Sequence, residues 1–436
     1  MSQFQLLRTR RFAPFFCTQA LGAFNDNAFR NALVMLVAFH MGLGERSVAL
    51  YTNLAPALFI LPYFLFSASA GQLAEKFEKS RIIGYVKLFE IAAMVLACWG
   101  LYHHEVGLLL VVLFLMGVHS TVFGPIKYAI LPQALAPAEL IGGNALVETG
   151  TQLAMLSGLI VGSALMEVGP SGPLLAGGVL IAVAVTGWLA SRQIPLAPPT
   201  APELRFNWNP VSETARVVAL ARRDPVVFNT VLGISWYWFY ATVLIAQLPV
   251  YTRANLGGDG SVAILVLTLF SVGTGIGALL CERLSARRVE IGLVPLGALG
   301  LAVFGIDLYF ARPGASTLQG LDWLGFLRGA GSARIAFDLT MIGAFAGIYV
   351  VPLFAFIQQR TPAERLSRVI GANNIVNALL IVLAACFGLG LGAVGFSPPQ
   401  IFLAAAVLGV GFVGYVFLRV PDFVRRFVAW VRRTNG

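Results

Sequence analysis

Gly71-Gln72-Leu73-Ala74-Glu75-Lys76-Phe77-Glu78-Lys79-Ser80-Arg81 is a short charged loop set between two apolar runs, 47–70 and 82–101. Each run holds about 20 residues, the length a helix needs to cross a bilayer. Moving outward, ten further runs of the same character lie near 12–39, 106–123, 141–166, 172–191, 226–250, 261–281, 289–311, 338–357, 369–394 and 400–418. The 436 residues are 58% hydrophobic and only 11% charged, with mean hydropathy +0.81. A soluble chain carries about 25% charged residues. The sequence therefore predicts an all-α membrane protein with twelve transmembrane helices. Its net charge of +10 comes from arginines gathered in a few loops, which reports topology and not nucleic-acid binding. With the N-terminus inside, the inner segments hold 23 of the 30 Lys and Arg. The outer loops hold Arg46, Arg253, Arg312, Arg328 and Arg334. That asymmetry places both termini inside. Arg8, Arg10 and Arg11 precede the first run with no small-residue cleavage site after it, so it is read as an uncleaved span. Cys17, Cys98, Cys281 and Cys386 show neither metal spacing nor a disulfide framework.

The opening loop has a degraded counterpart in the second half, Gly277-Ala278-Leu279-Leu280-Cys281-Glu282-Arg283-Leu284-Ser285-Ala286-Arg287-Arg288. A second pair of matches is stronger. Pro125-Ile126-Lys127-Tyr128, Pro137-Ala138-Glu139 and Gly143-Asn144-Ala145 are echoed by Pro352-Leu353-Phe354-Ala355, Pro362-Ala363-Glu364 and Gly371-Ala372-Asn373-Asn374. Two pseudo-symmetric six-helix bundles follow, 1–191 and 226–436, as in a duplicated transporter whose substrate site lies between the halves. The linker 192–225 opens with Ile194-Pro195-Leu196-Ala197-Pro198-Pro199 and predicts a helix with Asn209 as N-cap and Pro210 in the first turn. Val211, Ala215, Val218 and Leu220 would form its apolar face on the inner leaflet; the alternative is a regulatory site. The outer stretch 316–334, with Leu321, Trp323, Leu324, Phe326 and Leu327, predicts another interfacial helix.

Gly71–Arg81 resembles the signature loop of the major facilitator superfamily, Gly-x-Leu-Ala-Asp-x-x-Gly-x-Arg-Arg, with Glu75 at the Asp and Glu78 at the second Gly. The resemblance implies the major facilitator fold, with Gly71, Glu75, Lys76 and Arg81 acting as a conformational latch. Within that superfamily, Gln19-Ala20-Leu21-Gly22-Ala23-Phe24-Asn25-Asp26-Asn27-Ala28 resembles the first span of bacterial lysophospholipid transporters. So do Lys127-Tyr128-Ala129-Ile130-Leu131, Gly143-Asn144-Ala145-Leu146-Val147-Glu148, and Val351-Pro352-Leu353 with Gln358-Gln359-Arg360. This resemblance implies movement of lysophospholipids such as lysophosphatidylethanolamine from the outer to the inner leaflet of the bacterial inner membrane. An acyltransferase there restores the second chain. Some relatives are fused to that enzyme, and here it is expected as a separate protein. Some relatives also carry an arginine in span seven that pairs with the span-one acid. Span seven here, Trp236 to Gln247, has none, and Arg30 is the candidate for that charge.

Charge at membrane depth costs about 2.5–3.5 kcal/mol on insertion scales, so Asp26 and Arg30 mark a pathway or a structural pair. Gln19, Ala23, Asp26 and Arg30 form one helical stripe, which brings Asp26 and Arg30 within pairing distance. With Asn25 and Asn27 they could line a cavity, Asp26 for an ammonium and Arg30 for a phosphate. In span five, Asn144, Glu148 and Gln152 repeat every four residues. Glu148 could partner Lys127 or carry a proton, and the amides could bond helix to helix. Lys127 and Tyr128 could hold phosphate, or Lys127 could snorkel to the inner surface. Asn373, Asn374 and Asn377 mirror span five, as ligands or as packing contacts. Trp236, Tyr240 and Gln247 share a face of span seven that suits an acyl chain or helix packing. Lys87 and Glu90 read as a local pair and His119 as hydrogen-bonded scaffold.

The leading function is a lysophospholipid flippase working by alternating access, a monomer with no cofactor and no metal, in contact with membrane lipids. The alternatives are a proton-coupled exporter of drugs or small amphipaths and a lipid sensor that binds without moving its ligand. An embedded acyltransferase is excluded. No histidine is followed five residues on by Asp, and no Gly-x-Ser-x-Gly motif sits in a soluble domain.

Overall fold

The computed structural model describes residues 2–311 and 320–434. Among them, twelve helices have 18 residues or more: α1 (Ala13–Met35), α2 (Glu45–Lys76), α3 (Lys79–His103), α4 (Val106–Ala129), α5 (Leu140–Met166), α6 (Gly172–Ser191), α7 (Pro225–Asn255), α8 (Gly260–Leu284), α9 (Leu293–Phe310), α10 (Ser332–Arg360), α11 (Ala363–Ala393) and α12 (Pro398–Arg419). All twelve expected spans are therefore helices. Eleven are long and apolar enough to cross a membrane by length and composition. The exception is α1, whose middle is diluted by Asn25, Asp26, Asn27, Arg30 and Asn31. A π-helical turn, Leu36–His40, extends it.

Contacts group the chain into two compact units. One comprises Met1–Ala136, Leu153–Ala221 and Thr361–Ile375; the other comprises Pro137–Gln152, Arg222–Arg360 and Val376–Gly436. Each unit combines most of one sequence half with a short segment of the other. Glycine spacing explains how the helices approach. In the first unit, Gly158 and Gly162 of α5 lie against the backbone of Phe24 and Ala28 in α1, where a Cβ would collide. In the second, Gly273 and Gly277 of α8 meet Thr340 and Ala344 of α10, and Gly343 and Gly347 of α10 meet Phe270 and Thr274 of α8. Each is a Gly-x-x-x-Gly pair, the small-residue spacing that lets membrane helices touch at the backbone.

The linker carries a helix, Pro210–Arg222. Asn209 caps it, its Oδ1 accepting from the N–H groups of Val211 (3.0 Å) and Ser212 (3.1 Å). The face it buries is not the predicted one. Glu213, Val217 and Ala221 are buried, whereas Val211 and Ala215 are exposed. The helix packs on protein, and the buried face follows what that surface accepts. The Asn207 amide bonds Glu213 Oε2 at 3.0 Å, which is how an acidic residue belongs to the inner face. The segment predicted to lie outside forms a short helix, Trp323–Arg328, with Phe326 buried. Its preceding backbone is tied to the start of α8 by Asp259 N–H to Leu321 O at 2.8 Å. Residues 316–319 of the predicted outer helix, and Arg312, lie outside the described residues. A C-terminal helix, Asp422–Thr434, follows α12 and has no counterpart in the sequence reading.

Candidate functional site

The polar patch of α1 does not face one way. Successive helical residues point about 100° apart, and the structure separates them. Asp26 turns to α4, where Ser120 Oγ donates to its Oδ2 at 2.6 Å; its Oδ1 is buried without a partner. Asn25 turns to α3 and α6, donating to Glu90 Oε1 (2.9 Å) and Leu180 O (3.1 Å). Arg30 donates to Asn27 Oδ1 at 2.6 Å, and Asn27 donates to Ala23 O at 2.8 Å. The expected direct Asp26–Arg30 pair is thus replaced by two separate attachments. A neighbouring amide three residues away meets the guanidinium better than the carboxylate already bound to α4.

The densest charge cluster centres on Glu90. Lys87 Nζ lies 2.5 Å from Glu90 Oε2 and His119 Nε2 lies 3.2 Å from the same oxygen, all three side chains buried. Gly22 leaves room for the ammonium: a Cβ there would sit 2.7 Å from Lys87 Nζ. The local pair read from the sequence is therefore the hub of a network joining α1, α3 and α4. It continues past His119 to Ser120, whose Oγ lies 3.5 Å from His119 Nδ1, and so to Asp26.

In the second unit, Glu148 Oε1 accepts from Gln152 Nε2 (2.9 Å) and Tyr237 Oη (3.2 Å). Tyr237 is not among the residues to which the sequence points. Asn144 and Gln358 exchange hydrogen bonds of 2.6 and 3.1 Å. Asn377 Oδ1 accepts from Ser235 Oγ at 2.7 Å. Trp236 stacks between Phe239 and Phe412, with ring centroids 4.8 Å away on each side. Trp236 and Tyr240 both border an apolar cavity, whereas Gln247 is half-buried near Gly388. In the first unit, Lys127 sits over the Tyr128 ring, 5.4 Å from its centroid. Asn373 is fully buried with neither amide atom hydrogen-bonded, and Asn374 Nδ2 is likewise bare. The described residues hold no cluster of three or more His, Cys, Asp or Glu arranged for a metal, and the four cysteines are free.

The signature loop divides its labour. Glu75, fully buried, accepts from Arg368 N–H (3.0 Å) and Arg368 Nε (2.6 Å) of α11. Gly71 permits the approach, since a Cβ there would come within 2.9 Å of Arg368 Cα and Ser367 O. Lys76 Nζ donates to Leu204 O of the linker at 2.7 Å, and the Arg81 side chain is exposed. Glu78, where the signature has glycine, caps α3. Burial works against its carboxylate, but N–H donation from Ala197, Ser80 and Arg81 outweighs this and holds it below the usual carboxylate range. A charge-assisted hydrogen bond is worth about 1.5–3 kcal/mol. Glu75→Gln should therefore raise hydrogen exchange over 361–375 roughly tenfold or more. Exchange unchanged in that segment would refute the clamp.

Twelve long helices, eleven of them long and apolar enough to cross a membrane, with glycine-spaced crossings and buried polar networks, are the architecture of a multi-pass membrane transporter. The chain belongs to the Major Facilitator Superfamily, whose family model matches residues 15–385. It is 26% identical over 379 residues to the lysophospholipid transporter LplT of Serratia proteamaculans, covering 85% of this chain and 84% of that one. To LplT of Enterobacter sp. (strain 638) it is 24% identical over 406 residues, 90% of each chain. Among solved structures it is similar to FucP in the outward conformation, with TM-score 0.69 and 15% identity over 94% of this chain and 99% of that one. The human organic anion transporter MFSD10 gives TM-score 0.71 and 13% identity at the same coverage of each chain. At such identity, these structures support the fold alone.

Proposed function

We propose that this protein transports lysophospholipids, carrying them from the outer to the inner leaflet of a bacterial inner membrane by alternating access of its two six-helix halves, with both termini cytoplasmic. The observation that carries the reading is the α1 patch. Its sequence matches the lysophospholipid transporter pattern, and it presents a carboxylate oxygen, Asp26 Oδ1, buried and without a partner. Such an oxygen suits an incoming ammonium, the head-group cation of lysophosphatidylethanolamine. The full-length similarity to proteins named lysophospholipid transporters adds weight. The protein would work as a monomer and deliver its cargo to an acyltransferase.

Uptake of labelled lysophosphatidylethanolamine into proteoliposomes tests this, with diacyl phosphatidylethanolamine as competitor. The expected result is protein-dependent inward movement that the diacyl lipid does not compete away. Binding without movement would favour a sensor, and neither binding nor movement would favour an exporter of other amphipaths.

A further inference from the structure

The second unit has an apolar cavity of about 340 Å³ that the transport reading does not use. Trp236 and Tyr240 of α7, Ala302 of α9, Val410 and Phe417 of α12 and Phe427 of the C-terminal helix are among the residues that border it. Along α12 the lining runs from Ala406 to Phe417. At 1.5 Å per residue that is roughly 16 Å, about half the 30 Å hydrocarbon thickness and so one leaflet's depth. Leu299 and Val410, 58% and 54% exposed, place one side of the cavity at the unit's surface. In a membrane that surface meets lipid.

One end of the cavity is closed by a helix with a different character. In Asp422–Thr434, Phe423, Phe427 and Trp430 lie on one arc, Val424, Val428 and Val431 on the next, and Arg425, Arg426, Arg432 and Arg433 on the remainder. The first arc is docked. Phe423 is fully buried, and Trp430 Nε1 donates to Leu284 O at 2.8 Å. Gly292 admits the helix backbone; a Cβ there would lie 2.8 Å from Arg426 O. The second arc is open, with Val424 and Val428 each 42% exposed beside the arginines. A helix held this way sits where acyl chains end and head groups begin.

We propose that cavity and helix together form a binding site for an anionic phospholipid of the surrounding membrane. The chain would lie along Trp236 and Val410, and the head-group phosphate would meet the arginines of the C-terminal helix. Two independent features point to the same ligand: an apolar slot of acyl-chain length, and four arginines on the C-terminal helix against two carboxylates, Asp422 at 3.7 Å from Arg425 and Glu290 at 4.0 Å from Arg433. The site is separate from Asp26, and the proposal stands whether or not lysophospholipids are transported.

The test is native mass spectrometry of the full-length protein equilibrated with equal amounts of dioleoyl phosphatidylglycerol and dioleoyl phosphatidylcholine. Surface arginines favour anionic lipid additively, so wild type should retain phosphatidylglycerol over phosphatidylcholine by about tenfold or more. Arg425→Gln/Arg426→Gln/Arg432→Gln should retain lipid without the preference. Gly414→Phe should retain neither, because Gly414 lines the cavity and a Cβ there meets nothing within 4 Å, leaving space for the ring to fill. Ala298→Leu fills the slot from α9 and guards against a folding defect in the first variant. Equal retention of the two lipids by wild type, or wild-type retention in both filled variants, would overturn the proposal.

Discussion

Glu90→Gln will destabilise the protein more than any other single isosteric change in the first unit. Glu90 is fully buried and serves three partners: Lys87 at 2.5 Å, His119 at 3.2 Å and the Asn25 amide at 2.9 Å. The glutamine keeps the shape and one acceptor oxygen but loses the negative charge. Lys87 is then a buried ammonium, 1% exposed, without the carboxylate that contacts it. Breaking a buried pair by removing one partner costs about 3–5 kcal/mol, chiefly through the charge left behind. Melting in detergent should fall by roughly 6 °C or more. The mechanism makes a sharper demand on the double variant Lys87→Met/Glu90→Gln. It removes the stranded ammonium and leaves an amide for Asn25 and His119, so it should recover more than half of the loss. A double variant as unstable as the single one would mean that shape, not charge, is what Glu90 supplies.

The same cluster shows where reading a sequence ends. The twelve helices were legible because the bilayer imposes a length and a composition on each of them. The Asn209 cap was legible because capping depends only on local residues. Two of the three partners of Glu90 were not. Lys87 and Glu90 are three apart and visibly paired, but Asn25 and His119 reach them from other helices, and no periodicity encodes which helices meet. Asn25, Asp26 and Asn27 were grouped as one site because they are adjacent in sequence, yet adjacency on a helix guarantees different directions. The spacing of Gly158 and Gly162, and of Gly273 with Gly277 and Gly343 with Gly347, carried information about crossings that was available and unused. The C-terminal helix was available too. Phe423, Phe427 and Trp430 fall on one helical face among arginines, a pattern that a count of charge alone does not reveal. Tyr237 could not have been chosen over Trp236 or Tyr240 from sequence, since all three sit in one aromatic run and only the packing decides which reaches Glu148.

Asp26→Asn should abolish most transport while leaving the fold intact, and the geometry explains why the two effects separate. The Ser120 hydroxyl bonds Asp26 Oδ2 at 2.6 Å, and it can donate equally to an asparagine carbonyl. The helix attachment therefore survives, and stability should change by no more than about 1 kcal/mol. Asp26 also has no cation bound directly to it, because Arg30 is committed to Asn27. Neutralising it strands no charge in hydrogen-bond contact, unlike the loss of Glu90. What disappears is the attraction of Oδ1 for an incoming head-group cation. A hydrogen bond to a charged group contributes about 1.5–3 kcal/mol, so inward movement of labelled lysophosphatidylethanolamine should drop roughly ten- to a hundredfold. Asp26→Glu restores the charge and should recover part of the rate. Movement at the wild-type rate in Asp26→Asn would remove this residue from the transport site. Loss of movement together with a large fall in melting temperature would instead place Asp26 among the structural residues, with the Ser120 contact as its main role.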